Sequence, residues 1–274
     1  MNEGSERYCQ SPACSRRMRA RAPGSVTVVF APVEDTSLGV SFAISDGIVA
    51  AVESADTTAV TLDGTPTTFE PVEIALGELG VAARVDLESE MPVGQGFGAS
   101  GAATLSTVLA ANAEFGLGRS REGLVEVAAR AEVEAGTGLS DVYVQEMGGF
   151  AYDTGDGRQR VAREDELRYA SWGGIATGDV LGDPAAVERV REAGHEALSA
   201  FDPEMALPDL FDLSWEFAEA TGLVTDAVRE RVEGLQEGGG AATMAMVGET
   251  VVGVGGGDTL PERTRIEPEG AHVL

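Results

Sequence analysis

The stretch Pro92-Val-Gly-Gln-Gly-Phe-Gly-Ala-Ser-Gly-Ala102 decides the fold class, because it is a glycine-rich loop that leads straight into an apolar run. Glycines let the backbone approach an anion closely and point several N–H groups into one hollow. The run that follows, TLSTVLAANAEFG, predicts a buried helix ending at Gly116. The positive end of that helix and the hydroxyl of Ser100 favour a phosphate or a bound Mg²⁺. The chain has no lysine, so the loop is not a Walker A loop.

The same loop contains a second pattern, since Gly96, Gly98 and Gly101 fit the dinucleotide fingerprint GxGxxG. Glu122 lies where that fingerprint expects a ribose-binding acid. The fingerprint needs a strand after its helix, whereas here a second helix follows and Glu122 falls in its first turn. The context therefore disfavours an NAD-binding protein, which NADH titration would detect. A glycine turn needed only for tight helix packing is the other alternative.

Working outward, the chain alternates strand and helix patterns. Strands are predicted at residues 26–31, 58–62 and 81–87, and two more within 39–52 around a turn at Ser45–Gly47. Ser120 is predicted to cap a helix that stops at Gly136. The second half predicts helices near 184–200 and 208–235, then a glycine loop feeding a hairpin turned at Gly248. This mixture predicts an α+β fold of two halves that meet at a cleft: an N-terminal domain over 22–155 and a C-terminal α+β domain over 156–274.

Charge is the strongest compositional feature. The chain has 46 acidic and 19 basic residues, a formal net charge of -27, and every basic residue is arginine. Such a chain repels itself at low salt, and molar salt screens that repulsion. The acids are spread from Glu34 to Glu269, which favours a protein of a salt-rich cytoplasm over one with a local acidic patch. No basic stripe supports nucleic-acid binding, and no apolar run is long enough to span a membrane.

The first 21 residues are predicted to be a disordered tail. They contain the two cysteines, Cys9 and Cys14, which have no further ligands nearby and are interpreted as unimportant thiols. Ordered pattern is expected from Ala22 onward. Met18 is therefore an alternative start to Met1, which the N-terminal mass of the native protein would decide.

Three stretches in order resemble the GHMP kinases, the superfamily of galactose, homoserine, mevalonate and phosphomevalonate kinases. Pro92–Ala102 is similar to the second motif, P-x-G-x-G-L-G-S-S-A-A, with Phe97 for Leu, Ala99 for the first Ser and Gly101 for an Ala. Ala22-Pro-Gly resembles the opening APGK motif, with Ser25 in place of its lysine. Residues 238–241, GGGA, resemble the third motif. The segment AEVEAGTGLSDVYVQEMGG is most like the archaeal pantoate kinase family. That family has a GSRGAG-like stretch, and the corresponding segment of this chain, TSLGVS, lacks its arginine.

The resemblance implies roles for individual residues. Asp141 in GTGLSD matches the catalytic aspartate, and Ser100 with Glu132 matches the Mg²⁺ ligands. Glu134 is the alternative ligand, although it faces away from Glu132 on a helix. The resemblance assigns ATP binding to the phosphate-loop residues Pro92, Gly94, Gly96, Phe97, Gly98, Ala99, Ser100, Gly101 and Ala102.

The implied reaction is ATP-dependent phosphorylation of the primary hydroxyl of pantoate, with ATP and Mg²⁺ and in coenzyme A synthesis. Because pantoate is a carboxylate, a pocket cation is expected. The candidate substrate residues are Ser25 and Arg130, with Arg158 behind them. Another GHMP kinase, of the homoserine, shikimate or mevalonate type, and a non-catalytic nucleotide-binding protein of this fold remain alternatives. A homodimer is a further implication of the family.

Overall fold

The computed structural model describes residues 17–33, 36–138, 140–174, 183–246 and 248–274, and they form two antiparallel-rich sheets covered by helices. The first sheet has eight strands: β1 (Met18–Val33), β2 (Thr36–Ser54), β3 (Ala59–Leu62), β4 (Thr65–Thr67), β5 (Ala83–Ser89), β6 (Phe150–Asp153), β7 (Gln159–Val161) and β12 (His272–Val273). The second has four strands: β8 (Glu166–Gly174), β9 (Ala241–Met244), β10 (Gly248–Val254) and β11 (Glu262–Arg265). The helices are α1 (Glu70–Leu79), α2 (Ala99–Glu114), α3 (Arg121–Ala135), α4 (Asp141–Met147), α5 (Pro184–Ala200), α6 (Leu207–Thr221) and α7 (Asp226–Glu237). The predicted α+β class is confirmed.

The long hairpin of β1 and β2 forms the centre of the first sheet. Residues 39–42 of β2 pair with β6, and residues 48–54 of β2 pair with β5. The two strands predicted within 39–52 are one strand, since β2 runs through Ser45–Gly47 without a turn. Pairing with β1 continues on both sides of that point, and a register shift at Pro23/Gly24 absorbs the irregularity.

Helix α2 lies at the centre of the core. Its residues from Gly101 to Ala111 are all buried, and it packs on β1 and β2 as well as on α1, α3 and α4. A helix that is apolar on every side is expected only in such a position. The predicted end at Gly116 is close to the observed end at Glu114. The predicted α3 is also confirmed, with the Ser120 hydroxyl accepting from the N–H of Gly123 and Gly136 closing the helix in a left-handed conformation.

The second sheet carries α6 and α7 on β9, and α5 bridges α6 and β1. The predicted helix over 184–200 is confirmed. The single helix predicted over 208–235 is two helices, because Gly222 ends α6 at a φ of 72° and Thr225 caps the next one. Helix α1 was not predicted, although Pro71 near its start and Gly80 after its end are ordinary helix-boundary signals.

Two observations concern the predicted domain limits. Strand β1 begins at Met18, so the tail boundary predicted at Ala22 is wrong by four residues, and residues 1–16 lie outside the described ranges. The first sheet continues to Val161, and β12 returns to it from the C-terminus. The division at residues 155/156 stays a prediction.

Within the described ranges, no helix combines the length and the apolar character needed to cross a bilayer.

Candidate active site

A cavity of about 720 Å³ opens between the first sheet and helices α1, α2 and α4, and Gly174 and Met246 of the second half line part of it. Its volume is in the range of small-molecule sites. The predicted residues that line it are Gly94, Gly96, Phe97, Gly98, Ala99, Ser100, Asp141 and Arg158. The site predicted from the sequence is therefore largely one place in the fold.

The glycine-rich loop turns through left-handed backbone at Gly94, Gly96 and Gly98, where φ is 75°, 89° and 61°. Gly98 is the N-cap residue of α2, and a glycine has no side chain with which to cap the helix start. The first N–H groups of a helix have no partner within the helix. The N-terminal end of α2, with the positive end of its dipole, therefore faces the cavity.

Contacts from β1, β8 and β10 hold the glycine-rich loop in place. The carbonyl oxygen of Phe97 accepts from the N–H of Ser25 at 2.9 Å, and the Phe97 ring packs edge-on against Tyr169 at 4.8 Å between centroids. The carbonyl of Gln95 accepts from the hydroxyl of Thr250 at 2.6 Å. The second sheet thus fixes the loop that the first half of the chain supplies.

Three of the predicted loop residues do not face the cavity. Gly101 and Ala102 are buried in α2, and Pro92 lines a separate cavity of about 370 Å³ on the other side of the loop. These residues shape the turn and pack it. The expectation that the whole segment 92–102 contacts the ligand is therefore too broad.

Ser100 and Glu132 form one polar cluster beside the helix start. The hydroxyl of Ser100 donates to the Glu132 carboxylate at 2.9 Å, and the hydroxyls of Thr104 and Thr137 donate to it at 2.7 Å each. Glu132 is only 3% exposed. Burial raises the pKa of this carboxyl, the three hydroxyls lower it in part, and the charge of Asp141 raises it further. Glu134, the alternative ligand, is exposed as its helix position predicted.

Asp141 is the first residue of α4, at the floor of the cavity. Its Oδ1 accepts from the hydroxyl of Ser25 at 2.9 Å. Burial raises the pKa of Asp141, and that hydrogen bond partly lowers it. A Cβ placed at Gly138 would lie 3.5 Å from Oδ2 of Asp141 and 3.4 Å from Oε2 of Glu132. The two carboxylates therefore converge on one point of the wall.

The predicted substrate residues are placed differently from expectation. Arg130 is wrong as a cavity residue: it is exposed on α3 and pairs with Glu78 of α1 and with Glu126. Ser25 is 1% exposed, and it lies behind Asp141 with its hydroxyl already donated. Among the described residues that line the cavity, only Arg158 carries a positive charge, and its guanidinium lies 3.5 Å from the ring centroid of Tyr143.

Several site residues were not found from the sequence. Thr104 lies one turn after Ser100, and Thr137 follows Glu132 by five residues, so their spacing was a usable signal. Gln145 lies one turn after Asp141 and is fully buried. Phe69 and Pro71 reach the cavity through α1, which the sequence reasoning missed.

The sequence around this cavity is similar to that of known proteins. Residues 68–149, which contain the loop, Glu132 and Asp141, match the family described as GHMP kinases N terminal domain. The chain thus carries a GHMP kinase N-terminal domain. It is 29% identical over 259 residues to the pantoate kinase of Methanospirillum hungatei JF-1, covering 87% of this chain and 88% of that relative. It is 28% identical over 184 residues to the pantoate kinase of Methanocaldococcus jannaschii, covering 65% of this chain and 67% of that one.

Among solved structures, one described as a phosphotransferase related to the CoA biosynthesis pathway superposes with a TM-score of 0.81. The match covers 94% of this chain and 98% of that one at 23% identity. At this identity the likeness shows the fold, and it agrees with the predicted two-part α+β arrangement.

Proposed function

We propose that this protein is an ATP-dependent kinase that phosphorylates the primary hydroxyl of pantoate to 4-phosphopantoate in coenzyme A biosynthesis. The observation that carries the proposal is that the start of α2, Ser100 and Asp141 line one cavity, with Glu132 hydrogen-bonded to Ser100. Two curated relatives named pantoate kinase support the choice of acceptor.

ATP is proposed to lie with its phosphates against Gly94–Ser100. The left-handed glycines leave room for close approach, and the helix start supplies N–H donors and a favourable dipole. Phe69, Pro71 and Val93 line the same cavity, and Val93 is 39% exposed. An exposed apolar surface beside a phosphate site suits a purine ring.

The oxygen donors beside the loop fit Mg²⁺. Ser100 and Glu132 offer a hydroxyl and a carboxylate within hydrogen-bond distance of each other, and Mg²⁺ binds through one or two protein groups together with phosphates and water. Within the described ranges, no three side chains of the His, Cys, Asp and Glu types form a metal cluster. When bound, Mg²⁺ would offset negative charge on the phosphates. Ser100 and Glu132 would hold it, and Thr104 and Thr137 would orient Glu132.

Asp141 is proposed to orient the acceptor hydroxyl and to take its proton. The acceptor oxygen forms a bond to the γ-phosphorus, the bond from that phosphorus to the β–γ bridging oxygen breaks, and ADP leaves with the electron pair. The acceptor proton passes to Asp141 and then to solvent. Because burial raises the pKa of Asp141, its carboxylate is a better base than an exposed aspartate.

Arg158 is proposed to bind the carboxylate of pantoate. It takes the place of Arg130 in this role and of the arginine absent from TSLGVS. Its contact with the Tyr143 ring restrains the guanidinium beside the cavity, and a restrained guanidinium binds a carboxylate with two parallel hydrogen bonds.

We also propose that the enzyme works in a salt-rich cytoplasm. The support is a net charge of -27 with arginine as the only basic residue type. A homodimer remains a prediction from the resemblance.

The test is ADP release by the purified protein with ATP and Mg²⁺ in multimolar KCl, across pantoate, homoserine, mevalonate and shikimate. Turnover with pantoate alone is the expected result. Turnover with another acceptor would retain the kinase and overturn the substrate. ATP binding without turnover on any acceptor would favour a non-catalytic nucleotide-binding protein.

A further inference from the structure

The side chain of Gln145 lies buried between the phosphate-binding loop and Asp141. Gln145 follows Asp141 by one turn of α4, so both side chains leave the same face of that helix. The Gln145 side chain is fully buried. Its Nε2 donates to the carbonyl oxygen of Gly98 at 2.7 Å and to the hydroxyl of Ser25 at 3.3 Å. One amide therefore connects α4 with the last residue of the loop and with β1.

The direction of these hydrogen bonds is determined by chemistry. The carbonyl of Gly98 can only accept, so the nitrogen of the Gln145 amide must face it. The same nitrogen then donates to Ser25, whose single proton is left to donate to Oδ1 of Asp141 at 2.9 Å. Gln145 thus fixes the orientation of the Ser25 hydroxyl toward Asp141. The second oxygen of Asp141, Oδ2, faces Gly138 at the cavity.

Two glycines of the loop make room for this amide. A Cβ at Gly101 would lie 2.7 Å from Oε1 of Gln145, and a Cβ at Gly98 would lie 2.8 Å from Nε2. Gly101 is also a position where the loop departs from the superfamily pattern, which has alanine there. The loop and Gln145 are therefore matched in shape.

The amide also has a cost that packing alone does not explain. Its Oε1 is buried and has no hydrogen-bond partner among the described residues. A buried polar atom without a partner destabilises a fold, and an apolar side chain of the same length would avoid it. The neighbouring backbone is already fixed, since the carbonyl of Gln145 accepts from the N–H of Ala271 at 2.9 Å.

We infer that Gln145 is a positioning residue, which holds Asp141 at a fixed place relative to the phosphate-binding loop by acting through Ser25 and the Gly98 carbonyl. The inference rests on the proposed function, because it concerns the separation between a base and a phosphate. Gln145 thereby becomes part of the site, although its side chain does not line the cavity.

The first experiment needs no acceptor. The charge of Asp141 acts on Glu132 of α3, and Arg158 lines the same cavity as Asp141. Neither residue is changed by Gln145→Met, which keeps the side-chain length and removes the donor. Aspartate-selective ¹³C NMR, with Asp141→Asn for assignment, gives the pKa of Asp141 in the ligand-free protein. We expect Gln145→Met, Ser25→Ala and the double variant to raise that pKa by the same amount. An unchanged pKa in Gln145→Met, or additive shifts in the double variant, would overturn the inference. Gln145→Leu replaces Gln145→Met if the latter does not fold.

The second experiment is a double-mutant cycle in kcat. Gln145→Met is expected to lower kcat on the order of 10- to 100-fold, as small misplacements of reacting groups do. In the Ser25→Ala background, Gln145→Met should lower kcat by less than about a quarter of the factor that it costs in the wild-type protein, because the two residues act as one unit. Independent, multiplicative losses would mean a structural role only. If wild-type protein transfers phosphate to no acceptor, the proposed function fails, and the ¹³C titration still decides the role of Gln145.

Discussion

The hydroxyl of Ser100 donates to the carboxylate of Glu132 at 2.9 Å, joining the first turn of α2 to the last turn of α3. Two more hydroxyls, those of Thr104 and Thr137, donate to the same buried carboxylate. Three donors around one acidic group compensate for burial only in part, because burial still raises the pKa of Glu132. We therefore expect a bound cation to stabilise the ionised form of Glu132, because an opposite charge nearby favours the charged carboxylate.

Glu132→Gln tests this balance through stability. A folded-state pKa raised above its unfolded value means that the ionised group lowers stability once the pH is above the folded pKa. Glu132→Gln removes the charge, so we expect a higher Tm than wild type near pH 7.5 without Mg²⁺ or ATP. The difference should shrink as the pH falls toward about 4.3, the ordinary glutamate value. Differential scanning calorimetry across this range measures it.

The same variant should lose phosphoryl transfer. Exposed Glu134, two residues along α3, supplies the matched control: Glu134→Gln should change neither Tm nor turnover appreciably. A Glu132→Gln variant that is less stable than wild type at pH 7.5 would show that the carboxylate is satisfied without a cation.

Arg158 and Arg130 form a second matched pair. Arg158→Met should raise the KM for pantoate on the order of 10- to 100-fold, since a charge-assisted hydrogen-bond pair is lost. The affinity for ATP, measured by calorimetry, should be nearly unchanged. Arg130→Met removes an exposed ion pair with Glu78 and should leave both quantities alone. Equal effects of the two substitutions on KM would remove Arg158 from the substrate site.

Gly98→Ala tests the shape of the loop. Gly98 has a φ of 61°, and a Cβ there would lie 2.1 Å from the hydroxyl oxygen of Ser25. Alanine is strained in this conformation by about 1–2 kcal/mol, before the Ser25 contact is considered. We expect a lower Tm together with weaker ATP binding, both measurable on the purified protein.

The control for that substitution is Gly77→Ala. Gly77 lies inside α1, and a Cβ there would meet no atom within 4 Å. Replacing a helical glycine by alanine should stabilise by about 0.5–1 kcal/mol. If Gly98→Ala behaves like Gly77→Ala, the loop does not need its left-handed turn.

Salt should stabilise this protein. With a net charge of -27, repulsion opposes the compact state, and the Debye length falls from about 10 Å at 0.1 M to about 3 Å at 1 M salt. We expect Tm to rise steeply with KCl up to about 1 M and more slowly beyond it. A Tm that is flat or falls over this range would contradict a salt-rich working environment.

The sequence predicted the parts of the site that lie within one short segment. The loop at Gly94–Ser100 and the helix after it could be predicted because closely spaced glycines indicate a tight loop and a long apolar run indicates a buried helix. Asp141 and Glu132 were found only through family resemblance, because an acid on a helix or loop is ordinary in a chain with 46 of them.

What the sequence did not predict depends on contacts between distant segments. Arg130 was the stronger sequence candidate and Arg158 the weaker one, but in the fold Arg130 pairs with Glu78 and Arg158 lines the cavity. Gln145 lies one turn after Asp141, but its hydrogen bonds are not predictable from that spacing, since its partners Gly98 and Ser25 are 47 and 120 residues away. The turn expected at Ser45–Gly47 failed for the same reason, because pairing with β1 overrides the local preference.

The most direct test of the proposed role of Asp141 compares turnover by Asp141→Asn and by wild type, with saturating ATP, Mg²⁺ and pantoate in multimolar KCl, alongside calorimetric ATP binding. We expect a fall in kcat on the order of 10²- to 10⁴-fold, the range for loss of a general base, with ATP affinity within about threefold of wild type. Retained turnover, or an equal loss of turnover and ATP affinity, would contradict it.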